Sequence, residues 1–142
     1  MTLPVKSSDL KLLRDTTVPA KANKIFTEVI KTASGSLTAD ECKGTLINNY
    51  GQAADVALAL PAAAVGLGFT VCLGTTVANY FRFTPASGEI IALDGASTGA
   101  NKYIQIASAV KYSQIQLYTV QTGASTYEWV ANTVVGNWEQ QA

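Results

Sequence analysis

Between Asp55 and Arg82 the chain carries no charged residue. An uncharged run of that length has two physical solutions. It can cross a bilayer as one helix, for which about 20 apolar residues suffice. It can also fold into strands buried on both faces. The internal pattern favours strands. Val56, Leu58 and Leu60 alternate with Asp55, Ala57 and Ala59, the period of a strand with one large-residue face. Pro61 cannot donate to a sheet ladder, so the strand ends there. Ala62, Ala63 and Ala64 make a compact bend, and Gly66 and Gly68 let the backbone reverse. Phe69, Val71 and Leu73 then resume a strand. Residues 48–74 thus predict strand, sharp turn, strand, a hairpin around which the rest is organised. Against a membrane helix stand the punctuation by Pro61, Gly66, Gly68 and Gly74, the interleaved Ala, Gly and Thr, and flanks without a Lys or Arg cluster.

The 142 residues suffice for one domain with a single core. Apolar residues make up 48%, too many for a disordered chain. Charged residues make up only 14%, against about a quarter in ordinary globular proteins. A small monomer normally covers its large surface with charge, so the shortage points to surface covered by further copies or by a partner. Net charge is zero, which leaves no summed field to draw nucleic acid. The charges are nonetheless uneven. Residues 1–35 hold six cations and three anions, the remainder four and seven, so the chain divides into +3 and −3. Cys42 and Cys72 are expected to be free thiols, since a secreted disulfide framework carries more cysteine. The first residues lack the apolar core of a signal peptide, so the product is expected to stay where it is made.

Residues 1–33 read as an extended N-terminal arm with at most a short helix, and residues 34–142 as the β domain. In the arm, Val5, Leu10, Leu12, Leu13 and Val18 are scattered among charges, and Pro4 and Pro19 interrupt any longer element. Leu10, Leu13 and Arg14 share a helix face after Ser8 or Asp9 as N-cap. Such an arm reaches at most ~110 Å, at roughly 3.3 Å per residue. Alternation predicts a strand over residues 24–32, a turn at 34–36, and one helical turn at 38–41, where Thr38 and Glu41 have capping-box spacing. Further strands are predicted over 45–48, 79–84, 89–93, 103–107, 113–121 and 127–135, separated by turn residues. Phe81 and Phe83 oppose Tyr80 and Arg82 in one strand; Ile115 and Leu117 oppose Tyr118 and Val120 in another. Short strands at this spacing predict a mainly β, antiparallel sandwich, jelly-roll or barrel-like domain.

No chemistry stands out. The chain has no histidine, which removes the usual Ser-His-Asp and Cys-His machinery. Two cysteines cannot build a structural zinc site alone. Carboxylate pairs could be Glu89 with Asp94, or Asp94 with Glu128. Each lies beside turn residues, where solvated acids are ordinary. Gly66 and Gly68 lack a third glycine at dinucleotide-binding spacing, since Val71 stands there. No catalytic residue, metal or cofactor is therefore expected. The aromatics Tyr80, Phe81, Phe83, Tyr103, Tyr112, Tyr118, Tyr127, Trp129 and Trp138 could line a carbohydrate platform. Alternating aromatics in strands more commonly serve core or subunit contact.

Three segments carry a resemblance: INNYGQAADVALALPAAAVGLGFTV at 47–71, NYFRFTPASGEIIALDG at 79–95, and the C-terminal aromatic strand followed by Gly136, Asn137 and Trp138. Together they resemble small β-structured virion proteins of tailed bacteriophages, over roughly residues 37–138. The resemblance implies a non-enzymatic capsid decoration (cement) protein on the virion surface, made in the host cytoplasm. It implies a homotrimer bound to the major capsid protein, with neither nucleic acid nor membrane as partner. An extended arm suits a clamp, because it can add strands or tuck Leu side chains into neighbouring grooves, and three arms gain by multivalency. Leu10, Leu12, Leu13, Arg14, Val18 and Trp138 are the expected interface residues. The alternative is a tail fibre or receptor-binding component whose aromatics touch cell-surface glycan. The resemblance transfers no catalytic residues.

Overall fold

The structure, a computed structural model, describes residues 26–142. It is mainly β. The strands are β1 (Thr27–Ile30), β2 (Gly35–Ser36), β3 (Lys43–Asn48), β4 (Val56–Ala59), β5 (Gly68–Cys72) and β6 (Phe81–Thr84). They continue as β7 (Ile91–Leu93), β8 (Ile104–Ile106), β9 (Gln114–Gln121), β10 (Tyr127–Val135) and β11 (Trp138–Gln140). Two sheets form a sandwich-like pair. One has six strands in the order β1-β3-β5-β9-β10-β7, the other five in the order β11-β8-β6-β4-β2. Of the expected arm, residues 1–25, including Leu10, Leu12, Leu13, Arg14 and Val18, lie outside the described residues. Thr27–Ile30 is the edge strand β1 of the larger sheet.

Every connection except β9 to β10 passes from one sheet to the other. This explains why the sheets are mixed and not antiparallel throughout. Parallel neighbours need a long crossover, usually a helix. Here the crossover is a strand of the opposite sheet. Thus β1, β3 and β5 pair in parallel while β2, β4 and β6 do the same in the other layer. The return strands β8 and β9 pair antiparallel with β6 and β5. The expected hairpin at 48–74 is corrected by this winding: β4 and β5 are both strands, but they belong to opposite sheets. Eight residues separate them, and their apolar rows face each other across the core instead of lying side by side. The uncharged run is thereby divided between layers, and among the described residues no helix is long and apolar enough to cross a membrane.

The core lies between the sheets. Ile47, Phe69, Val71, Ile115, Leu117 and Trp129 point in from the larger sheet. Val56, Leu58, Phe81, Phe83, Ile104 and Trp138 meet them from the smaller one. Aromatic rings form a spine through both layers: Trp129 to Phe69 at 6.0 Å, Phe69 to Phe83 at 5.4 Å, and Phe83 to Trp138 at 6.5 Å. Such pairs add about 0.5–1.5 kcal/mol each beyond the area they bury. The inward and outward sides of residues 80–83 and 115–120 are those the alternation predicts.

Two local devices close the layers. Thr38 and Glu41 form the expected capping box: the Thr38 N–H donates to Glu41 Oε1 (3.0 Å) and the Glu41 N–H to Thr38 Oγ1 (3.2 Å). They start a single 3-10 turn, Asp40–Cys42. Lys31, just past β1, pairs with Glu41 at 2.7 Å. Its ammonium, together with the Thr38 N–H, holds the Glu41 carboxyl below its ordinary range. At the far end of β3, Asn49 is fully buried and bonds Gln52 Oε1 (2.8 Å) and the Thr75 carbonyl (3.0 Å), while its own Oδ1 accepts from the Thr75 N–H (3.0 Å). Gln52 Nε2 in turn donates to the Tyr80 carbonyl (3.0 Å). This polar clasp ties the loops after β3 and β5 to the approach to β6.

Candidate functional site

Two of the acids suggested by the sequence, Glu89 and Asp94, are engaged in holding loops. The Ala63 N–H donates to both carboxylate oxygens of Glu89, at 2.9 and 3.1 Å, which pins the Ala-rich crossover between β4 and β5. Trp129 Nε1 holds the same crossover through the Pro61 carbonyl at 3.2 Å. Asp94 sits at φ 49, an αL conformation that Asp tolerates better than most residues. Its carboxylate accepts from the Thr133 N–H and hydroxyl, both at 2.7 Å. Glu128 is half-buried on β10, opposite Val120. Among the described residues no three His, Cys, Asp or Glu side chains stand together as a metal site.

Both cysteines are free. Cys42 is buried in the core, and that burial, with the neighbouring Glu41 carboxylate second, pushes its thiol from 9.0 up to about 12. A thiol held protonated is a poor nucleophile.

Apart from Tyr118 and Tyr127, both half-buried on strands of the larger sheet, the aromatics fall into three groups. Phe81, Phe83, Trp129 and Trp138 belong to the core. Trp138 is only 6% exposed, and its ring N–H donates to the Val135 carbonyl at 3.2 Å. Tyr80 and Tyr103 clasp the Arg82 guanidinium on the outer side of the smaller sheet, with ring centroids 3.9 and 3.7 Å from its central carbon. Gln105 Oε1 accepts from that guanidinium at 2.9 and 2.6 Å, so these two rings serve as an internal cation clamp.

The third group is displayed. β1, β3 and β5 end, β9 begins and β10 ends at one end of the larger sheet, as the pairings Ile30 with Asn48, Cys72 with Gln114 and Val135 with Gln114 require. Along this end stand Ile30, Tyr50, Val110, Tyr112, Val134 and Val135, all among the exposed large apolar residues. Tyr112 is 63% exposed at φ 73, a left-handed conformation that bulky residues rarely adopt. Its N–H donates to the Leu73 carbonyl at 2.8 Å, which holds it there.

At the opposite end, on the outer face of the larger sheet, lies an open groove of about 640 Å³. Thr70, Gln116 and Asn132 form a row across β5, β9 and β10, because each pair is in register. Tyr118 stands beside the row, with Asn132 Nδ2 donating to its hydroxyl at 3.0 Å. Phe26, 46% exposed, is part of the lining. Tyr118 was visible to sequence reasoning only as one aromatic of many, and the polar row was not visible at all. Its members are 16 to 62 residues apart and meet only through strand pairing.

No protein-family model matches the chain, and a comparison with curated proteins finds no match.

Proposed function

We propose that this protein is a non-enzymatic virion component that works by association, a capsid decoration protein bound to the head shell and to its own copies as a homotrimer. The resemblance of residues 47–71 and 79–95 to small phage virion proteins motivates the virion setting. The observation that carries the mode of action is the apolar end of the larger sheet. There the chain exposes Tyr50 and Tyr112, of a residue type enriched in interfaces, beside the apolar Val110 and Val134, in a protein with only 14% charged residues. Holding Tyr112 at a positive φ costs on the order of 1–3 kcal/mol, and such strain concentrates at functional positions. The N-terminal arm supplies the grip on the shell.

Copy number in purified virions tests the setting: a number on the scale of the capsid subunits is expected, and a handful would place the protein in the tail. Deleting residues 2–20 should abolish capsid binding and leave the β domain folded; unchanged binding removes the arm from the proposal. The groove on the outer face favours a second reading, a tail component that contacts surface glycan.

A further inference from the structure

We propose that the groove on the outer face of the six-stranded sheet is a binding site for a neutral saccharide. The inference is independent of the role in assembly, since it concerns the opposite end of the larger sheet, and it names the ligand class of the second reading, on which it rests.

Among the described residues, no charged side chain lines the groove. An ionic ligand would find no countercharge from them and would lose part of its hydration. The lining instead offers groups that both donate and accept. Thr70 supplies a hydroxyl, and Gln116 and Asn132 supply amides. In-register strands lie about 4.8 Å apart, so the row presents three polar groups over roughly 10 Å. Groups of that kind can both donate to and accept from the hydroxyls of a saccharide laid along the row. The bond from Asn132 to the Tyr118 hydroxyl fixes both side chains and leaves the amide oxygen as acceptor and the phenolic proton as donor.

The aromatic component is built in as well. Gly68 lies opposite Tyr118 in the β5–β9 pairing. A Cβ on Gly68 would sit 3.2 Å from the Tyr118 Cβ, so a larger residue there would press on the base of the tyrosine side chain. Phe26 supplies a second ring at the groove, this one exposed. Aromatic rings with a few convergent polar groups are what a site for an uncharged, amphipathic ligand requires. A sugar ring has that character, with its C–H faces against the aromatics and its hydroxyls toward the polar row.

The test is amide chemical-shift mapping on the full chain, titrated with short neutral oligosaccharides of glucose, galactose, mannose and N-acetylglucosamine, and with neutral bacterial surface polysaccharide. Saturable shifts centred on Thr70, Gln116, Tyr118 and Asn132 are expected with at least one of them. The tighter class identifies whether the source is free or surface-bound. Gln116→Ala, at an exposed position that leaves the fold intact, and Tyr118→Ala should each weaken binding by about tenfold, equivalent to about 1.4 kcal/mol. Ser87→Ala, in the exposed turn after β6 of the other sheet, should bind as the parent does. The proposal is overturned by an absence of shifts with every saccharide, by shifts centred elsewhere, or by unchanged affinity in both groove variants. It is also overturned if the groove amides respond to deletion of residues 2–20 and not to sugar, which would make the chain's own leading residues the occupant. A protein that binds sugar but joins no shell refutes the assembly role alone, and the converse refutes the sugar site alone.

Discussion

Asn49 has no solvent exposure, yet both ends of its amide are satisfied by Gln52 and Thr75. Replacing it with Ala would strand a buried Gln52 oxygen and both backbone groups of half-buried Thr75. Asn49→Ala is therefore expected to lower stability by about 2–4 kcal/mol, read as a fall in urea midpoint. Gly74 belongs to the same corner, because a Cβ there would lie 2.6 Å from Asn48 Oδ1, the atom that accepts the Gly74 N–H. Cys42 makes a prediction of a different kind. Its pKa is raised in the folded protein, from 9.0 to about 12. Between these values the unfolded chain loses its thiol proton and the folded one keeps it, so ionisation favours unfolding. The stability tied to the protonated thiol is thus complete below pH 9 and declines as the pH climbs toward 12. Urea midpoints measured across that window should fall, and Cys42→Ala should flatten the fall; a slope unchanged in the variant would assign it to other groups.

Among the elements, the crossover between β4 and β5 is the most informative. It carries the chain from one sheet to the other, and its geometry depends on contacts from distant strands. Glu89 receives the Ala63 N–H and Trp129 reaches the Pro61 carbonyl. Glu89→Ala should release the crossover without unfolding the sheets. The expected reading is faster hydrogen exchange at the Ala63 amide by at least about tenfold, with little change at Val71 or Leu117. Equal acceleration at all three would mean that Glu89 supports the whole fold. β2 and β11 show the other side of element formation. Gly35–Ser36 carries turn residues, and the sequence predicts a turn; parallel pairing with Leu58 and Ala59 makes it a strand. Trp138–Gln140 is too short for periodicity to register and exists by pairing with β8.

For the whole molecule, the two ends of the larger sheet differ in kind. One displays uncovered Tyr and Val side chains, and the other holds the neutral polar groove. Tyr112→Gly separates display from stability, since glycine takes a positive φ without strain. Its urea midpoint should equal or exceed that of the parent, while light scattering should show the proposed oligomer shifted toward monomer. Val134→Asp at an exposed neighbouring position should act in the same direction. An oligomer unmoved by both changes would exclude this end as the self-association surface.

The alternation of large and small residues was enough to establish a mainly β chain, to place strands at 56–60, 69–73, 79–84, 113–121 and 127–135, of which the third and fourth begin at Phe81 and Gln114 in the structure, and to separate inward Phe81 and Phe83 from outward Arg82. It also identified the capping box of Thr38 and Glu41, because that device is closed within four residues. These features depend on periods of two and three residues, which the chain carries locally. The partner of each strand does not follow from its own period. An apolar row on β4 satisfies its burial equally well beside β5 or across from it, and only the packing of two complete layers chose the second. The groove follows from that choice: Thr70, Gln116 and Asn132 became neighbours when β9 paired with β5 and β10, a decision made by tertiary structure.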